Sequence, residues 1–182
     1  GTFDGVHIGH RKILERLIAD GQRLNLQSTL LTFFPHPRMV LQKDSHIKLL
    51  NTIEEKSAIL QDMGLDCLVI HPFTLEFSRK SATDFVREIL VEKLRVKRII
   101  IGYDHRFGRN RNATIQDLKS FGNILEFTVE EIPAQEIDEV SENTSSIPSW
   151  LKMLEEQSYQ AELLISGLVV AGLLQLPDLI VE

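Results

Sequence analysis

Short apolar and β-branched runs alternate along this chain with stretches whose apolar residues recur every three or four positions. The runs at Gln27–Phe34 (QSTLLTFF), 67–70 (CLVI), 98–102 (RIIIG) and 124–129 (ILEFTV) predict strands. Several are apolar at consecutive positions, as expected of strands covered on both faces. The other pattern predicts helices. Over 11–24, Ile13, Leu14, Leu17 and Ile18 form one stripe. Over 53–63, Thr52 and Glu55 stand at capping-box spacing before the helix. Over 83–94, Phe85, Val86, Ile89, Leu90 and Leu94 repeat at helical spacing, and Ser81 and Asp84 suit the N-terminus. A shorter helix is predicted over 114–121, stopping at Gly122. Beyond Val129, residues 130–144 read as an acidic loop. Residues 148–164 read as a helix burying Trp150, Leu151, Leu154, Ala161 and Leu164. This alternation predicts an α/β fold with a parallel sheet and right-handed crossovers. Ligands of such sheets sit at the carboxyl ends of the strands.

Composition narrows the class. The chain has 182 residues, 43% of them hydrophobic and 25% charged, which is ordinary for a globular protein and argues against disorder. The net charge of −6 makes nucleic acid or an anionic membrane an unexpected partner. The one cysteine, Cys67, forms no intrachain disulfide, which suits the reducing cytoplasm. Residues 1–10 lack the basic start and apolar run of a signal peptide. The apolar stretch 163–176 is shorter than the roughly 20 residues a spanning helix needs, and reads as core. The first residues read as the end of a strand whose leading part precedes Gly1.

Chemistry concentrates in a few places. In Gly1-Thr2-Phe3-Asp4-Gly5-Val6-His7-Ile8-Gly9-His10 a strand end passes through a glycine turn into a helix starting near Gly9. Helix starts offer unpaired N–H groups and bind phosphate. Gly5 and Gly9 let the backbone approach a ligand closely. His7 and His10 can both lie at that mouth and donate hydrogen bonds to developing negative charge. Two surface histidines, or a zinc site lacking an evident third ligand, are the competing readings. Phe34-Pro35-His36-Pro37-Arg38 reads as a rigid loop after the second strand, able to shape a flat pocket or simply to end the strand. The segment from Gly102 to Arg111 (GYDHRFGRNR) follows the most apolar strand. Its Arg106, Arg109 and Arg111 suit phosphates, Phe107 a ring and Asp104 a ribose hydroxyl, unless they form an ordinary solvated charge run. Ser145 and Ser146 precede a predicted helix, where hydroxyls cap it or hold a phosphate. His71 reads as structural and Cys67 as core filler. His46 has no evident role.

Together, G-T-F-D-G-V-H-I-G-H, F-F-P-H-P and G-Y-D-H-R-F-G-R-N-R resemble the bacterial bifunctional riboflavin kinase/FMN adenylyltransferases, also called FAD synthetases. The N-T-x-x-E-K, H-P-F-T-L-E-F-S and S-A-T-D-F-V segments between 50 and 86 are similar to that family too. The resemblance spans residues 1 to about 146. It implies a Rossmann-like parallel sheet of the H-x-G-H nucleotidylyltransferase type over 1–157. An incomplete start of a β-barrel kinase domain would follow over 158–182, where 166–172 resembles the first kinase strand. The implied reaction transfers AMP from ATP to FMN, giving FAD and pyrophosphate, with Mg²⁺ accompanying ATP. Riboflavin kinase activity is implied for the complete family protein.

By the match, His7, His10 and Arg106 would be catalytic. Thr2, Phe3, Asp4, Gly5, Gly9, Gly102, Asp104, Phe107, Gly108, Ser145 and Ser146 would hold the nucleotide. Pro35, His36, Pro37, Asn110 and Arg111 would border the flavin, and no residue is assigned to a metal. The sequence departs from the family at three points. Ser145-Ser146-Ile147-Pro148 lacks the arginine of S-S-T-x-I-R. Asn112-Ala113-Thr114 replaces a frequent Gly-Asp. No P-T-A-N motif follows residue 172. A nucleotidylyltransferase with another phosphate acceptor, or a flavin- or nucleotide-binding module without turnover, are the alternative readings.

Overall fold

The computed structural model describes residues 3–6, 8–42, 48–103, 105–133 and 170–174; of Asp4, Ile8 and 170–174 the backbone alone is described. A 3₁₀ turn, Asp4–Val6, leads into helix α1 (Ile8–Leu24). Strand β1 (Gln27–Phe34) and helices α2 (Pro37–Leu41) and α3 (Ile53–Asp62) follow. Then come β2 (Cys67–Pro72), α4 (Leu75–Ser78) and α5 (Ala82–Asp84), which runs on as a π-helix over Phe85–Lys93. Strand β3 (Val96–Gly102), a 3₁₀ turn at Arg109–Arg111, α6 (Ile115–Leu125), β4 (Thr128–Ile132) and β5 (Val170–Leu174) complete the description.

The five strands form one sheet in the order β2-β1-β5-β3-β4. β1 and β2 are parallel, and so are β3 and β4. The expectation of a parallel sheet is corrected at its centre, where β5 runs antiparallel to both neighbours. Its described residues pair as far as Leu31 on β1 and Ile100 on β3. Connections leave β1 and β3 in opposite directions across the sheet, so a crevice opens between their carboxyl ends.

Alternation along the strands sorts the core into two layers. Leu30 and Ile100 face one side and pack with Ile13, Leu14 and Leu17 of α1, Leu60 of α3, and Phe3 and Val6. Leu31, Phe33, Ile99 and Ile101 face the other. They pack with Phe85, Val86, Ile89 and Leu90 of the π-helix, with Leu118 of α6, and with Phe107. Helices thus cover both faces, and the runs of consecutive apolar residues have their physical reason.

Three predicted boundaries move. The helix expected to stop at Gly122 runs to Leu125 and ends at Glu126, whose backbone is left-handed (φ 61°, ψ 44°). Gly122 serves packing: a Cβ there would stand 2.4 Å from the Phe127 carbonyl oxygen. The strand expected over 124–129 is displaced to Thr128–Ile132. Glu130 and Glu131, read as loop, are strand residues because each has a cationic partner. Glu130 pairs with Arg16 at 2.9 Å and with Arg98, and Glu131 pairs with Lys119 at 3.2 Å. The helix expected over 83–94 is largely π-helical, capped by Ser81, whose Oγ accepts the Asp84 N–H at 3.1 Å. The helix expected over 148–164 lies outside the described residues.

Candidate active site

Two loops stand out for left-handed backbone, one before α1 and one after β3. In the first, Phe3, Gly5 and Val6 have φ of 49°, 76° and 39°. Val6 is β-branched, so a fold that holds it there over-determines it. Gly5 is required for space as well, since a Cβ would lie 2.7 Å from Leu50 Cδ1. The turn delivers the chain into the first turn of α1, where His10 is buried and its ring lies 4.4 Å from that of Phe3. Gly102, at the end of β3, comes against Ile13 of α1.

The second loop follows β3. Phe107 and Ala113 exchange two backbone hydrogen bonds, at 3.0 and 3.1 Å, which closes residues 107–113 into a tight loop. Gly108 (φ 74°), Asn110 (55°) and Arg111 (56°) are left-handed within it. A Cβ on Gly108 would lie 2.8 Å from Ala82 Cβ, so glycine is needed where the loop crosses the start of α5. His105 is buried under the loop with its ring parallel to Phe107 at 6.3 Å. Burial first, and the nearby Arg111 charge, push its pKa down to about 3, so the ring is neutral.

The Phe-Pro-His-Pro segment is not a loop throughout. After the cis Phe34–Pro35 bond it becomes α2, with Pro37 in its first turn and His36 as N-cap. His36 Nδ1 accepts the Arg38 N–H at 3.2 Å. Proline suits a helix start, where its missing N–H costs nothing.

Two cavities flank this segment. The wider holds about 590 Å³. Phe33, Phe73, Phe77, Phe85 and Phe107 line its apolar side. Phe33, Phe73 and Phe77 make mutual tilted or edge contacts with centroids 5.4–5.7 Å apart. Arg38, Arg79, Lys80, Arg109 and Arg111 supply its charge, and no carboxylate is among its described lining residues. Lys80 is paired with Glu88 at 2.7 Å. This cavity brings together Pro37, Phe107, Gly108, Asn110 and Arg111 from the sequence-predicted set. The narrower cavity, about 510 Å³, is lined by His36, Asn51, Thr52 and Lys56 among others, and shares Phe33 with the first.

Other expected residues fall elsewhere. Pro35 and Arg106 are exposed and line neither cavity. Thr2, His7, Asp104, Ser145 and Ser146 lie outside the described residues, and Asp4 and Gly9 are described in backbone only. His71 Nδ1 bonds the Pro72 carbonyl at 2.8 Å and its ring packs on Phe77, the structural role expected of it. Burial pushes the Cys67 thiol up, which suits a packing residue rather than a nucleophile. Sequence reading missed Arg38, Arg79, Lys80 and Lys56. The signal for Arg79 and Lys80 was available: a basic pair directly before the Ser81 cap.

Comparison with known proteins adds a second line. The FAD synthetase family model matches residues 1–146. The bifunctional riboflavin kinase/FMN adenylyltransferase of Buchnera aphidicola subsp. Schizaphis graminum is 41% identical over 132 residues, covering 72% of this chain and 42% of the relative. That of Escherichia coli K12 is 34% identical over 122 residues, covering 67% and 39%. The chain therefore spans about two-fifths of the length of these curated relatives. Among solved structures, a macrolide-efflux protein from Streptococcus pneumoniae superposes with a TM-score of 0.64. It is 25% identical and covers 73% of this chain and 44% of that one. Among the described residues no helix is long and apolar enough to cross a membrane.

Proposed function

Because the chain belongs to the FAD synthetase family, we propose that it carries the FMN adenylyltransferase step. ATP and FMN are the substrates, and FAD and pyrophosphate the products. The observation that carries this reading is the wide cavity. Its volume lies within the range of small-molecule sites, and it joins five phenylalanines to five cations without a carboxylate. A planar ring attached to a phosphate matches that lining: aromatic edges and faces for the ring, guanidinium forks for the phosphate.

A phosphate oxygen of FMN attacks the α-phosphorus of ATP. The bond from that phosphorus to the bridging oxygen breaks, and pyrophosphate leaves with the electron pair. No covalent enzyme intermediate is required, so this chain contributes positioning and charge neutralisation. We assign His7, His10 and Arg106 to the developing phosphate charge at the start of α1. We assign Thr2, Phe3, Asp4, Gly5, Gly9, Gly102, Asp104, Ser145 and Ser146 to the nucleotide. Pro35, His36, Pro37, Asn110 and Arg111 go to the flavin side; Phe107 and Gly108, expected on the nucleotide side, line the same cavity as Pro37, Asn110 and Arg111, which supports their lying against the flavin instead. Among the described residues no three His, Cys, Asp or Glu side chains converge. Mg²⁺ would accompany ATP on its phosphates, and we assign no residue of this chain to it.

On this reading the sheet is of the H-x-G-H nucleotidylyltransferase type over 1–157, which its two parallel pairs and central crevice support. The reading of residues 158–182 as the start of a kinase domain does not extend to 170–174, because β5 is the central strand of this same sheet, between β1 and β3. Small molecules in the cytoplasm are its partners. Chromatography of the purified protein incubated with FMN and Mg-ATP tests the reading. FAD and pyrophosphate should appear above a protein-free control. A folded protein that yields neither overturns the assignment.

A further inference from the structure

The five cations of the wide cavity are not equivalent. Lys80 is committed to Glu88 at 2.7 Å, and Arg38 and Arg111 each interact within the protein. Arg79 and Arg109 also line the cavity, and both are exposed. Among the described residues, neither side chain enters an ion pair or a hydrogen bond. Their charge is left to a ligand.

The fold brings these two arginines together from distant parts of the chain. Arg79 stands two residues after Phe77, and Arg109 two after Phe107. Both phenylalanines belong to one aromatic wall, joined through Phe85 by ring contacts at 6.0 and 6.5 Å. The two segments cross where Gly108 lies against Ala82: a Cβ on Gly108 would stand 2.8 Å from Ala82 Cβ and 3.0 Å from its backbone N. Phe107 is buried while Arg79 and Arg109 are exposed, so the wall runs inward from a charged mouth. A ligand that lays a flat ring on the wall and leaves a phosphate at the mouth meets both parts of this lining. Guanidinium forks donate to phosphate oxygens in pairs, and no carboxylate among the described lining residues competes for them. A phosphate at the mouth, rather than inside, is also open to a second substrate.

We propose that Arg79 and Arg109 hold the phosphate of the flavin substrate at the mouth of the wide cavity, and so set a preference for a phosphorylated flavin over the unphosphorylated one. No bond forms or breaks in this step: the guanidinium N–H groups donate to the phosphate oxygens. The proposal rests on the adenylyltransferase reading for the identity of the ligand, and its test separates the two.

Binding of FMN and of riboflavin is measured by calorimetry for the full chain, for Arg79→Gln, for Arg109→Gln and for the double variant, at low and at raised salt. The wild-type chain should favour FMN, and more strongly at low salt. Each single variant should weaken FMN by about three- to tenfold, and the double variant by more than either, with riboflavin held within about twofold throughout. The salt dependence of FMN binding should shrink in step. Arg79→Lys and Arg109→Lys, which keep the charge and lose the fork, should recover part of the loss. Both side chains are exposed, so thermal unfolding of the variants should match the wild type. If a glutamine variant does not fold, the lysine variant against the wild type carries the comparison. Equal losses for FMN and riboflavin would mark a general effect on the cavity and overturn the proposal. Unchanged FMN binding in the double variant would do the same, as would a wild-type chain that binds both flavins equally or binds neither. A chain that selects FMN through these arginines yet forms no FAD would sink the adenylyltransferase reading and leave this one standing. A chain that forms FAD while the double variant keeps the FMN preference would do the reverse.

Discussion

The two cavities meet at Phe33 and are built on different principles. The wide one borrows its lining from the core. Phe33, Phe85 and Phe107 are 5%, 4% and 1% exposed and belong to the same hydrophobic layer as Leu31 and Ile99. The surface we assign to the flavin ring is therefore the outer skin of a packed interior. The narrow one is built around the start of one helix, with a capping box and the buried Lys56, and Phe33 is its one lining residue from the hydrophobic core clusters among the described residues. The difference separates stability from chemistry. On the wide side a change in flavin affinity should come with a large change in fold stability, and on the narrow side a small change in stability should come without one.

The largest effect expected is at Phe107. Phe107→Ala removes a fully buried ring from between His105 and Phe85, and should cost about 3–5 kcal/mol of unfolding free energy. FMN binding should weaken in the same variant. Denaturant unfolding and FMN titration check both. A variant that loses FMN but keeps its stability would break the claim that site and core are one surface.

How much of this was legible in the sequence depends on the range of the interaction responsible. β1 matches its predicted limits residue for residue, because an apolar run ended by prolines is a local signal. The α3 capping box formed as spaced: Thr52 Oγ1 accepts the Glu55 N–H, and Glu55 accepts the Thr52 N–H. The misreadings turn on distant partners. Glu130 looked like loop until Arg16 and Arg98 stood beside it. Gly122 looked like a stop until Phe127 came within reach of its missing Cβ. β5 pairs with strands some 70 to 140 positions away, which no local pattern reports. Around the cavities, His36, Pro37 and Gly108 stood out in the sequence by their motifs. Lys56 did not, because its meaning lies in its burial rather than its type.

A second, smaller effect sharpens the wide side further. His105 is neutral in the fold, with a pKa near 3 against 6.5 for an ordinary histidine. Between those values the unfolded chain binds the extra proton and the folded one does not. The contribution is therefore whole above pH 6.5 and lost as pH falls toward 3. By pH 5 it should amount to about 2 kcal/mol relative to pH 8, or roughly 1.4 kcal/mol for each of 1.5 pH units. His105→Gln should flatten stability against pH over this window. Equal slopes for the two proteins in urea unfolding at pH 5, 6.5 and 8 would show that the ring is charged in the fold.

The smallest effect probes the narrow side. Thr52 is exposed, yet its hydroxyl holds the first turn of α3, and the buried Lys56 projects from that turn. Thr52→Ala removes one side of the capping box and should cost about 1 kcal/mol, with Thr52→Ser restoring it. FMN affinity should not change, since the wide cavity takes no described residue from α3. The mirror image of Phe107→Ala is thus expected: a small stability loss and no flavin effect. If FMN binding falls in Thr52→Ala, Phe33 transmits between the cavities, and they act as one site rather than two.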